Sequence, residues 1–468
     1  MKKYFNDIVY TFLANIITLL TTASITFILP KIMGVIDYGY VQLYLFYANY
    51  TGFLHLGWAD GIYLKYGGKY YENIDKKVFS GQFWLYSLVE FSFAFVILIS
   101  GFSNGFTEEK TIVFIFTGIA VAVYLPRTLL QYVLQSTSRI KEYSAIIIID
   151  RLIYFFIILF IIFKKLLDLY MILSADILAK TISLIMALFY CKDIIFTSTD
   201  KLYNVIKEAK DNIHIGIKLM FSNIASMLII GIIRLAIENK WDIGTFGKIS
   251  LTMSISSMLM TLINAVAMIM FPALRRSKEE QLLDIYMRIR PFVVIPMLGM
   301  LLFYYPMKTF LSFWLPEYAD SLQYMAILFP MCLFECKMSL LISTYMKTLR
   351  KEKWLMQVNI ITLFISFVLT ILNVYVLQSL ALTVFSVVIL LGFRSVIAEL
   401  LLSRFFNISL YKINIEEVGL SIIFIFSSWF IRDYRGMLIY LSFYILYLFN
   451  HKKTLKFMVT EIRQQVRI

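Results

Sequence analysis

Charge, cysteine and large connecting segments are all scarce in this sequence. Of its 468 residues only 16% are charged and three are cysteine, whereas 60% are hydrophobic. A soluble domain cannot hide that much apolar surface, so the composition excludes a soluble protein and predicts a polytopic membrane protein. Cys191, Cys332 and Cys336 offer neither a disulfide framework nor a metal-ligand spacing, so packing is their expected role.

The shortness of the connections excludes further classes. The longest loop expected on the outer side of the membrane runs from about Pro306 to Asp320, which is too short to fold into a catalytic face. A non-enzymatic function is therefore predicted, with a membrane polysaccharide polymerase or ligase as the alternative from another class. The formal net charge of +14 is explained by the basic cytoplasmic loops of membrane proteins, so no nucleic-acid partner is expected.

Apolar segments long enough to cross a bilayer recur along the whole chain. A spanning helix needs about 20 residues. About fourteen segments qualify, at roughly 8–29, 38–61, 80–101, 111–133, 144–163, 169–190, 213–237, 243–271, 285–305, 320–345, 354–376, 381–402, 417–431 and 435–450. Lys and Arg concentrate in alternate connections, which predicts that both termini are cytoplasmic. The predicted fold is an all-α polytopic membrane protein with about fourteen transmembrane helices.

A polar stripe marks the first apolar segment. Its members recur at steps of three or four residues: Thr11, Asn15, Thr18, Thr22 and Thr26. That spacing places them on one face of a helix. A polar face on a membrane helix should turn away from lipid, toward a protein interior or a water-filled cavity. The stripe is therefore predicted to line a substrate pathway.

The same pattern returns 208 residues later. The matched positions are Asn15 with Asn223, Thr18 with Ser226, Thr26 with Arg234, Tyr38-Gly39 with Phe246-Gly247, Gln42 with Ser250 and Asn49 with Ser257. Matching polar positions predict an internal duplication. Transporters built from such repeats bind their substrate between the two repeats. The predicted organisation is a six-helix N-lobe over 1–200, a six-helix C-lobe over 201–404, and two further helices with a basic cytoplasmic tail over 405–468.

Three groups of residues resemble the motifs of one family. They are Leu29-Pro30-Lys31-Ile32-Met33-Gly34 with Tyr38-Gly39, Leu56-Gly57 and Gly61; Leu134-Gln135-Ser136 with Arg139 and Tyr143; and Phe310-Leu311 with Trp314, Glu317-Tyr318 and Ala319. They resemble the Wzx-type polysaccharide-transporter branch of the multidrug/oligosaccharidyl-lipid/polysaccharide exporter (MOP) superfamily. The likeness covers the first twelve helices, and the last two are an addition found in some members.

The resemblance implies a flippase of the bacterial cytoplasmic membrane. Such proteins move undecaprenyl-diphosphate-linked oligosaccharide repeat units of O-antigen or capsule to the outer leaflet, as two lobes alternate in opening a central cavity. No cofactor is expected beyond a coupling proton or sodium ion. The expected partners are the lipid-linked oligosaccharide, membrane lipid, and a polysaccharide polymerase with its chain-length regulator. A lipid II flippase and a multidrug or cation antiporter of the same superfamily are the alternatives.

Charges inside apolar segments need a reason, because each costs about 2.5–3.5 kcal/mol at the bilayer centre on insertion scales. Arg234 shares the face of Asn223, and its planar fork of donors suits a diphosphate; the alternative is an arginine that snorkels outward or pairs with Glu238. Arg127 is predicted to contact the diphosphate near the cytoplasmic side. The alternative is that it only contributes to the positive charge of the cytoplasmic side. The predicted substrate face comprises Arg234, Asn223, Asn15, Thr18, Thr22, Thr26, Asn49, Ser257 and Arg127.

Two carboxylates are predicted to serve ion coupling or gating. Glu90 lies near the middle of the third segment with no local partner of opposite charge, and a neutral structural Glu is the alternative. Asp60 lies near the predicted cytoplasmic mouth on the face of Asn49. Asp176 and Lys180 are four residues apart and are predicted to pair with each other.

Overall fold

The computed structural model describes residues 2–67, 69–103, 105–258, 278–431 and 433–466, together with 260, 263, 266, 267, 270 and 274. Every regular element in this part of the chain is helical, as the prevalence of apolar segments predicted. The all-α fold class is thereby confirmed. No strand occurs among the described residues, because long apolar segments in a bilayer satisfy their backbone groups within single helices.

The first half of the chain forms long helices with short connections. Their bounds are α1 Lys2–Met33, α2 Val35–Tyr50, α3 Trp58–Tyr66, α4 Lys76–Ser103, α5 Glu108–Ser136, α6 Ile140–Phe163, α7 Leu169–Tyr190, α8 Lys192–Ile195, α9 Leu202–Lys240 and α10 Ile243–Ser257. Short 3-10 segments lie at Thr51–His55 and Tyr71–Asn73.

The second half contains more interruptions. Its helices are α11 Glu279–Met300, α12 Tyr304–Trp314, α13 Leu322–Leu328, α14 Met331–Cys336, α15 Thr344–Thr348, α16 Glu352–Ile371, α17 Leu380–Phe405, α18 Tyr411–Phe430, α19 Tyr434–Asn450 and α20 Lys452–Val466. Two π-helical segments, Lys337–Ser343 and Leu372–Val376, continue α14 and α16. Such π segments leave one extra residue in a turn and often occur at functional sites.

Eleven stretches of the described chain are long and apolar enough to cross a membrane. The three predicted segments outside this count have evident reasons. The segment at 38–61 is broken, the one at 243–271 lies partly outside the described residues, and the one at 435–450 forms a helix of only 17 residues. A multi-pass membrane protein is therefore the finding, and the number fourteen stays a prediction.

Three predicted boundaries were wrong. Helix α1 does not end at Pro30 but continues to Met33. Pro30 has no N–H to donate to the carbonyl of Thr26, so the last turn lacks one helical hydrogen bond. The segment from 38 to 61 is not continuous, since Leu56 and Gly57 adopt positive φ angles of 51° and 80°. The polar connection predicted over 191–212 is largely helical, because α9 already begins at Leu202.

The described chain divides into two compact units. Unit 1 comprises Met1–Ile224 with Ile243–Gly247, and unit 2 comprises Ala225–Asp242 with Lys248–Ile468. In unit 1, α5 packs against α4 and α7, while α6 packs against α1 and α7. In unit 2, α16 packs against α17, and α18 packs against α19. The lobe boundaries at 200 and 404 stay a prediction.

Glycines allow close backbone contact within unit 1. A Cβ on Gly247 would lie 2.8 Å from the Cα of Gly39, so neither position has room for a side chain. These are the glycines of the repeated Tyr38-Gly39 and Phe246-Gly247 pairs, and the duplicated motif therefore places α2 and the start of α10 in contact. A Cβ on Gly216 would likewise lie 2.9 Å from the Cα of Gly61. Small residues are what membrane helices use for such approaches.

Candidate functional site

The predicted stripe on α1 is only partly satisfied by its own helix. The Asn15 side-chain amide donates to the Thr11 carbonyl at 2.8 Å, and the Thr18 hydroxyl donates to the Ala14 carbonyl at 2.8 Å. These bonds back to the preceding turn are usual for such side chains in helices. Thr22 is exposed and Thr26 is buried. The stripe exists on one helix, and its role as a substrate surface stays a prediction.

The other neutral members of the predicted face differ in exposure. Asn49 on α2 and Asn223 on α9 are exposed in unit 1. Ser257 in unit 2 is half-buried and donates to the Ser254 carbonyl at 3.2 Å. Their amide and hydroxyl groups are of the kind that bind sugar hydroxyls.

Arg127 is engaged by its own unit. Its guanidinium Nη1 lies 3.0 Å from Asp150 Oδ1 and donates to the Ser183 hydroxyl at 2.7 Å. Both charged side chains are less than 10% exposed, at 6% for Arg127 and 8% for Asp150. The structure thus connects α5, α6 and α7 through Arg127. Its predicted contact with a substrate diphosphate would have to compete with this buried carboxylate.

A second buried network in unit 1 confirms the predicted pairing on α7. The Lys180 ammonium binds both carboxylate oxygens of Asp176, and the Tyr44 hydroxyl from α2 donates to the same carboxylate. Sequence reasoning found the ion pair from its four-residue spacing. It missed Tyr44, which is distant in sequence.

Glu90 is buried near the middle of α4, with 1% of its surface exposed. No described residue forms a hydrogen bond of ordinary length with either of its carboxyl oxygens, although the Tyr86 hydroxyl lies close enough to interact with the carboxyl group. Tyr86, one turn earlier, directs its hydroxyl toward the Leu125 carbonyl at 3.4 Å. A buried carboxyl without a hydrogen bond of ordinary length is costly and is a site where a proton or cation can be taken up.

Asp60 lies on α3, and no hydrogen bond among the described residues joins it to Glu90 on α4. It is 5% exposed on α3, and its carboxylate Oδ2 is 3.7 Å from His55 Nε2. His55 Nδ1 accepts the backbone N–H of Gly57 at 3.0 Å. His55 therefore fixes the left-handed turn that separates the 3-10 segment from α3.

Arg234 lies in unit 2, six residues before the end of α9. Its guanidinium donates to the Ser250 hydroxyl on α10 at 2.9 Å, and its surface is half-buried. Ser250 occupies the repeat position of Gln42, so the bond joins two members of the duplicated pattern. Lys218, a second positively charged residue on the same helix, is exposed.

Arg394 reaches a further position of the repeated stripe. It donates to Ser226 at 2.7 Å, to the Asn359 amide oxygen at 2.9 Å and to Glu335 at 3.0 Å. Ser226 occupies the repeat position of Thr18. Arg394 and Glu399 do not pair with each other although they share α17.

The main feature that sequence reasoning missed is a buried cluster of four charges in unit 2, termed here the charge quartet: Arg290, Lys337, Glu399 and Glu417. Arg290 Nε lies 2.8 Å from Glu399 Oε1, and Arg290 Nη2 lies 2.7 Å from Glu417 Oε1. Lys337 Nζ lies 2.8 Å from Glu399 Oε2 and 2.5 Å from Glu417 Oε2. None of the four side chains is more than 5% exposed.

Neutral groups complete the charge quartet. The Tyr286 hydroxyl donates to Glu399 at 2.6 Å, and the Lys337 ammonium donates to the Asn414 amide oxygen at 2.9 Å. The two positive and two negative charges sum to zero. The quartet joins α11, α17, α18 and the first residue of the π segment at Lys337. The sequence shows four charges in apolar segments, which indicates that they need partners. Their spacing does not indicate which of them pair.

The described residues contain no group of three or more His, Cys, Asp or Glu side chains arranged to hold a metal ion. The arrangement instead offers separated cations and one carboxyl without a hydrogen bond of ordinary length within helices. Such groups bind, neutralise and release charged ligands.

Comparison with solved structures places this fold among known transporters. The lipid II flippase MurJ in its inward closed conformation matches with a TM-score of 0.64 at 15% identity, over 94% of this chain and 98% of that chain. An outward-facing multidrug resistance MATE transporter matches with a TM-score of 0.55 at 11% identity, over 84% and 94%. A MOP superfamily transporter from Pyrococcus furiosus Vc1, described by the reversed polarity of its binding pocket, matches with a TM-score of 0.52 at 12% identity, over 84% and 94%.

These neighbours show that the chain has the same fold as these solved transporters. No protein-family model and no curated protein sequence matches the chain. The fold agrees with the predicted superfamily, whereas membership of that superfamily and of its Wzx-type branch stays a prediction.

Proposed function

We propose that this protein is a flippase that moves undecaprenyl-diphosphate-linked oligosaccharide repeat units from the cytoplasmic to the outer leaflet of a bacterial inner membrane. The observation that supports the proposal is the structural match to the lipid II flippase MurJ over 94% of this chain. The repeated polar stripes and the Wzx-like motifs direct the proposal to polysaccharide repeat units. No bond is made or broken in such a step.

The extent of the match favours a lipid-linked substrate over a drug. The MATE transporter matches 84% of this chain, and MurJ matches 94%, although each match covers at least 94% of the neighbour. The difference is 10% of this chain's 468 residues.

The charges within the helices favour an anionic substrate. Arg234 bonds to a serine of the repeated pattern in unit 2, whereas Arg394, which bonds to another such serine, is already paired with Glu335 at 3.0 Å. A transporter for cationic drugs would instead need carboxylates to bind its substrate. In the proposed mechanism, Arg234 binds the diphosphate, while Asn15, Asn49 and Asn223 bind the first sugars. Lipid II carries a diphosphate too, so a lipid II flippase is the second candidate that MurJ favours.

Glu90 is proposed to couple transport to an ion gradient, because a buried carboxyl without a hydrogen bond of ordinary length can bind a proton or a sodium ion. We expect Glu90→Gln to insert normally and to lose the dependence of transport on the gradient. Transport by the wild-type and variant proteins should be measured with and without an ionophore. A variant that keeps the wild-type response to the ionophore would leave Glu90 as a structural residue.

A deletion strain tests the proposed function. Complete lipid-linked repeat units should accumulate at the cytoplasmic face while the surface polysaccharide disappears. Single repeat units that reach the outside unpolymerised would identify a polymerase instead. Retention of toxic cations with unchanged polysaccharide would support a drug exporter, and accumulation of lipid II would support the second candidate.

A further inference from the structure

Helix α6 carries a charge at its midpoint that neither the sequence pattern nor the proposed mechanism has used. Arg151 is eleven residues from Ile140 and twelve from Phe163. At a rise of 1.5 Å per residue, it lies about 17 Å from either end of the helix. A snorkelling side chain cannot reach a lipid headgroup over that distance. Arg151 must therefore find water or an anion within the membrane.

Arg151 shares its nearest carboxylate, Asp150, with another arginine. Asp150 contacts Arg127 at 3.0 Å, and Asp176 is bound by Lys180. Arg151 Nε is 3.8 Å from Asp150 Oδ2, which is too long for a hydrogen bond, and the described residues provide it with no other ionic partner. Three cations share two carboxylates, so this network carries one excess positive charge. In contrast, the charge quartet of unit 2 is balanced.

Helix geometry places Arg151 on the protein side of α6. Ser144 and Ile158 are seven residues before and after it, within about 20° around the helix, and both are buried. Phe160 is nine residues on, on the opposite face, and is 57% exposed, as expected of a lipid contact. Nevertheless, 41% of the Arg151 side chain is exposed. The Arg151 side chain is thus exposed between two buried positions of the same helix face.

We propose that Arg151 binds the diphosphate of the lipid-linked substrate as that group passes the middle of the membrane. This inference rests on the proposed function and assigns a binding residue within unit 1. Arginine stays charged at all relevant pH values and offers a fork of donors that fits two phosphate oxygens. Arg127 acts as a positioning residue, because it contacts Asp150 more closely and so leaves the charge of Arg151 only partly compensated.

The test measures binding of labelled undecaprenyl diphosphate to the full-length protein in nanodiscs of neutral phosphatidylcholine. We expect Arg151→Gln to weaken binding about tenfold to a hundredfold, the range for losing a hydrogen bond to a charged group. Lys141→Gln, which removes an exposed cation from the first turn of α6, should leave binding unchanged. Undecaprenol, which has no phosphate, should bind both variants and the wild type equally.

A more conservative variant covers the case in which Arg151→Gln does not fold. Arg151→Lys keeps the charge and removes the fork, so its affinity for the diphosphate should fall severalfold while undecaprenol binding stays unchanged. Competition by phosphatidylglycerol in the nanodisc, abolished by Arg151→Gln, would instead make the residue a site for lipid headgroups.

The possible failures are distinguishable. Wild-type protein that does not prefer undecaprenyl diphosphate over undecaprenol contradicts the proposed function. Wild-type protein with that preference, combined with unchanged affinity in both Arg151 variants, contradicts only the role of Arg151.

Discussion

Lys337→Met is expected to destabilise unit 2 by about 3–5 kcal/mol, the range measured when one partner of a buried ion pair is removed. The substitution leaves Arg290 to neutralise both Glu399 and Glu417 in a region where none of the three is more than 5% exposed. An unpaired buried carboxylate is the cause of the loss, because methionine can fill the space of the lysine stem. The midpoint of thermal unfolding in detergent should fall accordingly.

The matched control for Lys337→Met is a second substitution that restores neutrality. Glu417→Gln alone should also destabilise the protein, since it leaves two cations with one carboxylate. The double variant, in which Arg290 pairs with Glu399 alone, should be more stable than either single variant. Simple addition of the two losses would show that the charge quartet does not act as a unit.

Arg234→Ala is expected to abolish export of surface polysaccharide while the protein still inserts in the membrane. In the proposed mechanism this guanidinium binds the diphosphate, and a charge-assisted bond of that kind is worth at least about tenfold in affinity. The readouts are surface polymer, by immunoblot or staining, and protein level in the membrane fraction. Arg234→Lys should retain partial export, because it keeps the charge without the planar fork.

Lys218→Ala is the control for Arg234→Ala on the same helix. Lys218 is exposed and lies sixteen residues earlier on α9, about 160° around the helix axis. Export should be close to wild type in this variant. Equal losses from the two substitutions, or no loss from Arg234→Ala, would contradict the assignment of the diphosphate to Arg234.

Periodic features of the fold could be predicted from the sequence. Spanning length and apolar composition located the long helices, and the four-residue spacing found the Asp176–Lys180 pair. The break after α2 was missed because Leu56-Gly57 lies within an apolar run that is long enough to span. The positive φ of Leu56 depends on the turn that His55 fixes. Composition does not encode such a turn.

The charged networks could not be predicted for a different reason. Lys337 and Glu417 are 80 residues apart in sequence, and Arg290 and Glu399 are 109 apart. Spacing rules pair charges only within one helix, whereas these pairs depend on which helices become neighbours. Intramembrane charge predicted that partners exist, but only the fold identified them. The same applies to Arg127, whose partner Asp150 lies on the next helix.

The most direct test of the account is transbilayer movement in proteoliposomes that contain only the purified protein. Undecaprenyl-diphosphate-linked oligosaccharide is incorporated, and an impermeant lectin reports the fraction at the outer surface. Wild-type protein should make the inner-leaflet pool accessible, Lys218→Ala should do the same, and Arg234→Ala should not. If wild-type protein leaves the inner pool protected but exchanges a cationic dye for protons, the protein is an exporter of cations and the account is contradicted.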